Sequence, residues 1–156
     1  MESGAWFPRN MSERSISEHA PVWLDLAASS EEEVIRQLIG RLRDCAEVRD
    51  PEAFERAVLE RQKLQPPLLG NGVALPHART PAVTEMVLAM GRCREPVPFG
   101  PERVPIRLVF LYGVPARCIT GYLDDVAHLT RSLRKPGTLE ALLAARDEAT
   151  FRSVLT

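Results

Sequence analysis

The stretch from Val104 to Tyr112 constrains the fold more than any other. Ile106, Leu108, Val109, Phe110 and Leu111 make a near-continuous apolar run. A run of that length without alternation suits a strand covered on both faces, so it is placed centrally in a sheet. Val22-Trp23-Leu24-Asp25-Leu26 alternates and reads as a first strand, and Met86 to Met90 as a further buried one. Between them lie two helices. Ser30-Glu31-Glu32-Glu33 is a capping box, and Val34, Ile35, Leu38, Ile39 and Leu42 follow at helical spacing, which predicts a helix over 31–44. Asp50-Pro51 opens a second helix with Phe54, Ala57 and Val58 inward; it ends near Arg61-Gln62-Lys63, because Pro66-Pro67 cannot continue it.

After the central strand the pattern is helical again. Pro96, Pro98, Gly100 and Pro101 predict a loop before that strand. Tyr122, Val126, Leu129 and Leu133 share one face of a helix over 120–134, and Pro136-Gly137 breaks it. Thr138 is placed as the cap of a helix through Leu139, Leu142 and Leu143, and Asp147 as the cap of a last one. The order strand, helix, helix, strand, strand, strand, helix implies an α/β fold with helices on a small mixed β-sheet.

The 156 residues fit one domain, placed at 20–156, after a polar tail over 1–19 with no sustained period. The net charge of −1 argues against nucleic acid or an anionic membrane surface as a partner. No apolar run approaches membrane-spanning length and no apolar leader opens the chain, so a cytoplasmic protein without membrane insertion is expected. Cys45, Cys93 and Cys118 are far apart, which disfavours a zinc site or a disulfide framework and favours apolar filling.

The chemistry gathers in Gly70-Asn71-Gly72-Val73-Ala74-Leu75-Pro76-His77-Ala78-Arg79. A turn precedes a short buried strand, and Pro76 restricts its neighbours and presents His77. Neutral imidazole is a nucleophile near physiological pH and can accept a phosphoryl group. Arg61, Arg79 and the backbone N–H groups of the Gly70, Asn71, Gly72 turn are candidates to neutralise phosphoryl oxygens. On residue chemistry alone, a structural histidine after a proline turn is an equal reading.

Glu60-Arg61-Gln62-Lys63, the Gly70–Arg79 stretch, Pro96-Val97-Pro98-Phe99 and the strand ending at Val114-Pro115 together resemble the enzyme IIA domain of the fructose/mannitol class of the bacterial phosphotransferase system, which includes nitrogen-regulatory IIA proteins. The resemblance covers roughly residues 20–156, and its G-N-G-x-A-x-P-H core is the specific part. It implies a mixed sheet with helices on both faces. It places His77 at the phosphorylated histidine and Arg61 at the arginine beside it. It implies an HPr-type histidine phosphocarrier as donor, a IIB domain or a regulated protein as downstream partner, and no metal or organic cofactor. Two positions depart from the family pattern. Pro66-Pro67-Leu68-Leu69 stands where a Ser/Thr-Gly segment is common, and Tyr122-Leu123 stands where the family carries a second histidine in an H-L pair. Tyr122 is read either as a hydrogen-bonding aid to the site or as a core residue. His128 is read as an ordinary helix histidine.

Three functions follow as expectations. The first is a phosphoryl carrier, closer to a regulatory IIA because no IIB or IIC segment is attached to this chain. The second is a binding module that has lost efficient phosphotransfer. The third is the IIA subunit of a sugar permease.

Overall fold

The computed structural model describes residues 16–118 and 120–156. In chain order the elements are β1 (Val22–Leu26), α1 (Glu31–Leu42), α2 (Pro51–Leu64), β2 (Leu68–Gly70), β3 (Val73–Ala74), β4 (His77–Arg79), β5 (Val87–Phe99), β6 (Val104–Val114), α3 (Thr120–Arg134), α4 (Thr138–Ala144) and α5 (Glu148–Val154). A short 3₁₀ turn, Ile16–Glu18, precedes them.

The strands form one mixed sheet in the order β1-β5-β6-β3-β2, with β4 also paired to β6. As its apolar run requires, β6 is central: it lies antiparallel to β5, and β3 and β4 share its other edge in parallel. Pro76 interrupts that shared edge without an N–H to offer. The Tyr112 N–H nevertheless bonds to the Pro76 carbonyl at 3.0 Å, so the ladder carries on past the proline into His77.

Helices cover both faces. Alternate residues of β6 define the two sides. Gly113 faces α2, where a Cβ would fall 2.7 Å from Phe54 Cζ, and Gly91 of β5 faces Leu38 of α1 on the same side. On the opposite face Tyr112 reaches Asp125 of α3, and the Arg92 guanidinium bonds the carbonyls of Leu142, Leu143 and Ala145 at the end of α4. The core between these layers holds the full apolar stripe of α1 together with Phe54, Val58 and the interior of β5 and β6.

Local signals place most helix starts. The Ser30 Oγ accepts from the Glu33 N–H at 3.2 Å, and Glu33 returns its carboxylate to the N–H and hydroxyl of Ser29 rather than to Ser30. Asp50 and Asp147 cap α2 and α5 through the N–H groups of Ala53 and Thr150. Three expectations are corrected. Thr138 is the first residue of α4, not its cap; Gly137, at φ 85°, holds that position. The loop expected over 96–101 is mostly strand. The register slips between Arg92 and Val97, and Pro98 then sits opposite Pro105, so neither proline is asked for a ladder N–H its partner could use. The turn itself is confined to Gly100–Arg103, closed by a 3.0 Å bond from the Arg103 N–H to the Gly100 carbonyl.

The third correction concerns the tail. Ile16 and Ala20 are fully buried, and the Ile16 N–H donates to Asp125 Oδ1 at 3.0 Å. Residues 16–19 therefore pack with the domain; the rest of the expected tail, residues 1–15, lies outside the described residues. Cys45 and Cys93 are buried and free, and burial pushes their thiols up to about 12 and about 11; Cys93 acts as an apolar filler, whereas the Cys45 thiol donates to Glu47 Oε1 at 2.8 Å.

Candidate functional site

His77 is the first residue of β4, half-buried at the end of the sheet. Its register with Tyr112 sets its side chain on the α3 face. The residue two before it does most of the local positioning. The Leu75 N–H donates to the Pro67 carbonyl at 2.8 Å, and the Leu75 carbonyl lies 3.0 Å from His77 Nδ1. A carbonyl oxygen only accepts, so Nδ1 carries the ring proton and Nε2 keeps its lone pair. The Pro66-Pro67 segment thus holds the peptide that selects the tautomer. Pro66 is itself seated on Gly100, where a Cβ would come within 2.7 Å of the Pro66 ring.

Arg61 comes from the last turn of α2. Its Nη1 donates to the Gln65 carbonyl at 2.7 Å, so the C-terminal residue past the helix fixes the guanidinium. Burial holds the His77 imidazole below the ordinary histidine value, and the Arg61 charge pushes the same way; the Leu75 carbonyl opposes them. The ring is therefore neutral at pH 7. Tyr122, on the first turn of α3, lies with its ring 5.4 Å from that of His77 at a 32° tilt. Burial pushes its phenol up to about 12, with Arg61 opposing, so it remains a neutral O–H donor. Tyr122 packs partly against the core, as its helical stripe implies, and its ring lies against the histidine.

The remaining candidates are placed less closely. Arg79 follows His77 by two residues and so projects to the same face, exposed and in no ion pair among the described residues. The Gly70-Asn71-Gly72 turn is separated from the histidine. Its residues have φ of 89°, 55° and 78°, which explains the glycines and the asparagine. Val73 pairs with Leu108 whereas His77 pairs with Tyr112, four residues further along β6. At ~3.3 Å per residue that is roughly 13 Å, so the turn's N–H groups do not reach a group held on His77. The turn instead borders a groove of about 550 Å³ with Leu133, Arg134, Pro136 and Leu139 at the α3–α4 corner. Among the described residues no group of His, Cys, Asp and Glu could hold a metal ion.

Sequence reasoning missed two residues behind Tyr122. The innermost line of α3 is Asp125, Leu129 and Ser132, with Tyr122, Val126 and Leu133 of the expected stripe partly buried against the core beside it. Asp125 Oδ2 accepts from the Tyr112 hydroxyl at 2.5 Å. An aspartate three residues after Tyr122 and four before Leu129 was the available signal, since it interrupts the apolar face where a solvated carboxylate has no room.

A half-buried neutral imidazole with one free nitrogen, flanked by a fixed guanidinium and a phenol, suits covalent capture of an anionic group. The family model described as phosphoenolpyruvate-dependent sugar phosphotransferase system, EIIA 2, matches residues 16–156. The chain belongs to this family. The fructose-specific EIIA component of the phosphotransferase system of Haloferax volcanii is 32% identical over 133 residues, covering 85% of this chain and 86% of its own. The nitrogen regulatory protein IIA-Ntr from Neisseria meningitidis superposes with a TM-score of 0.81 at 27% identity, over 90% of this chain and 99% of that one. The mannitol IIA of Escherichia coli, solved in complex with phosphorylated mannitol IIB, gives a TM-score of 0.73 at 26% identity, over 86% and 92% of the two chains. This EIIA chain therefore has the mixed-sheet fold that its motif implied, and no helix of its described residues is long and apolar enough to cross a membrane.

Proposed function

We propose that this EIIA chain is a cytoplasmic phosphoryl carrier that accepts a phosphoryl group on Nε2 of His77 from an HPr-type histidine phosphocarrier and regulates partner proteins according to its phosphorylation state. The observation that carries the reading is the 3.0 Å contact of Nδ1 with the Leu75 carbonyl, which leaves Nε2 as the nucleophile of a neutral ring. In the transfer, the Nε2 lone pair attacks phosphorus in line, and the bond from phosphorus to the donor nitrogen breaks with its electrons returning to the donor imidazole. The Arg61 guanidinium takes charge developing on the phosphoryl oxygens, and the Tyr122 phenol donates to one of them. Arg79, exposed on the surface side, approaches from the rim. Gly70, Asn71 and Gly72 act by shaping the chain that leads to His77 rather than by touching the phosphoryl group.

The surroundings suit a protein partner. Leu64 is 81% exposed one turn after Arg61, and Leu123, beside Tyr122, is 56% exposed. Exposed leucines next to a neutral imidazole and the Arg61 guanidinium give a docking face with an apolar rim and a polar centre. The phosphorylated IIB bound to the mannitol IIA supports a protein acceptor docking in the same manner downstream. Incubation with phosphoenolpyruvate, enzyme I and an HPr-type donor tests the reading. Wild type takes up label and His77→Ala does not; an unlabelled wild type with every cognate donor overturns it.

A further inference from the structure

The layer between β6 and α3 holds a polar pair that the transfer chemistry does not use. Tyr112 is fully buried on β6 and Asp125 is 6% exposed on α3. The Tyr112 hydroxyl donates to Asp125 Oδ2 at 2.5 Å, and the Ile16 N–H donates to Oδ1 at 3.0 Å. Burial and the neighbouring carboxylate hold the Tyr112 phenol well above its ordinary value, so it stays a donor. A buried carboxylate is weak as a source of stability, since two apolar residues of similar volume do as well or better. Its attested use is to fix one geometry among several.

The geometry fixed here is that of the acceptor site. Tyr112 is the register partner of His77. Tyr122 lies one turn before Asp125, with its ring edge-on to Tyr112 at 5.3 Å and tilted against His77 at 5.4 Å. A rotation or slide of α3 would take Tyr122 off the imidazole, and it would first have to break the bond between Asp125 and Tyr112. Ile16 ties the chain before β1 to the same carboxylate. We infer that the hydrogen bonds joining Ile16, Asp125 and Tyr112 latch α3 so that Tyr122 sits over His77, which makes Asp125 and Tyr112 positioning residues for phosphoryl acceptance. The inference rests on His77 being the acceptor.

Tyr112→Phe tests it with little disturbance, because the ring and its edge contact remain and only the O–H is lost. In phosphotransfer from the HPr-type donor, kcat falls about fivefold or more while KM for the donor stays within about twofold, since the latch acts on the transfer step and not on docking. In a Tyr122→Ala background the same change has no further effect, because the group through which the latch acts is gone. Asp125→Asn, which keeps the side-chain volume, gives the same split. In the unphosphorylated protein the His77 ring-proton resonances, shifted by the Tyr122 ring, move in both Tyr112→Phe and Asp125→Asn. Independent, multiplying losses in the double variant, or His77 resonances unmoved in both single variants, overturn the latch. A wild type that takes no label overturns the acceptor reading instead, and the ring resonances then still decide whether Asp125 and Tyr112 place Tyr122.

Discussion

At the residue scale, His77 is a histidine kept neutral by its surroundings. Its folded value lies below the ordinary 6.5, with burial first and the Arg61 charge also pushing it down. A group with that shift binds its proton more weakly when folded. It therefore costs no stability above about pH 6.5 and removes stability as pH falls below that value, where only the unfolded chain protonates. An NMR titration of the His77 ring is expected to give a midpoint below 6.5, and Arg61→Gln to move it upward. A midpoint at or above 6.5 in wild type contradicts the assignment of a neutral nucleophile shaped by burial. His77 and Arg61 were legible in the sequence because the G-N-G-x-A-x-P-H motif and the end of the preceding helix mark them. Asp125 and Tyr112 were not. A tyrosine inside an apolar strand and an aspartate on an amphipathic helix each have an ordinary reading, and only their meeting across the β6–α3 layer reveals a pair.

At the element scale, β6 ties the two faces together. Its Gly113 lies against Phe54 of α2, with a Cβ position 2.7 Å from the ring and 2.9 Å from Val87 Cγ2. Both neighbours are fully buried and cannot swing away. Gly113→Ala is expected to destabilise the protein by about 1–3 kcal/mol through overpacking, read from the urea midpoint at unchanged slope. A change below about 0.5 kcal/mol contradicts the close approach of α2 to the strand. The helices α1 and α2 were legible nearly to their ends, since capping residues and a 3.6-residue stripe are local properties. The length of β5 was not. Pro96 and Pro98 carry a local loop signal, and a register slip together with the Pro98–Pro105 pairing, a tertiary fact, overrides it. The α4 start went the same way, because a positive-φ glycine replaced the expected threonine cap.

At the scale of the whole molecule, the α/β class and the helices on a mixed sheet followed from element order and from the family motif. The strand order did not. The sharing of one β6 edge by β3 and β4 depends on a parallel pairing between residues 35 positions apart, which no local pattern encodes. The same long-range packing leaves Leu64 and Leu123 exposed beside Arg61 and Tyr122. Replacing either by aspartate is expected to raise KM for the phosphoryl donor about tenfold, about 1.4 kcal/mol of docking, with the thermal midpoint unchanged. An unaltered KM in both variants places the docking face elsewhere.

The central claim is a phosphoryl group on one nitrogen of one residue. Long-range ¹H–¹⁵N NMR of the chain phosphorylated by its carrier measures it directly. The account predicts a single phosphorylated ring, that of His77, with phosphorus on Nε2 and the proton retained on Nδ1 toward the Leu75 carbonyl. Phosphorus on Nδ1, or on any residue other than His77, contradicts it.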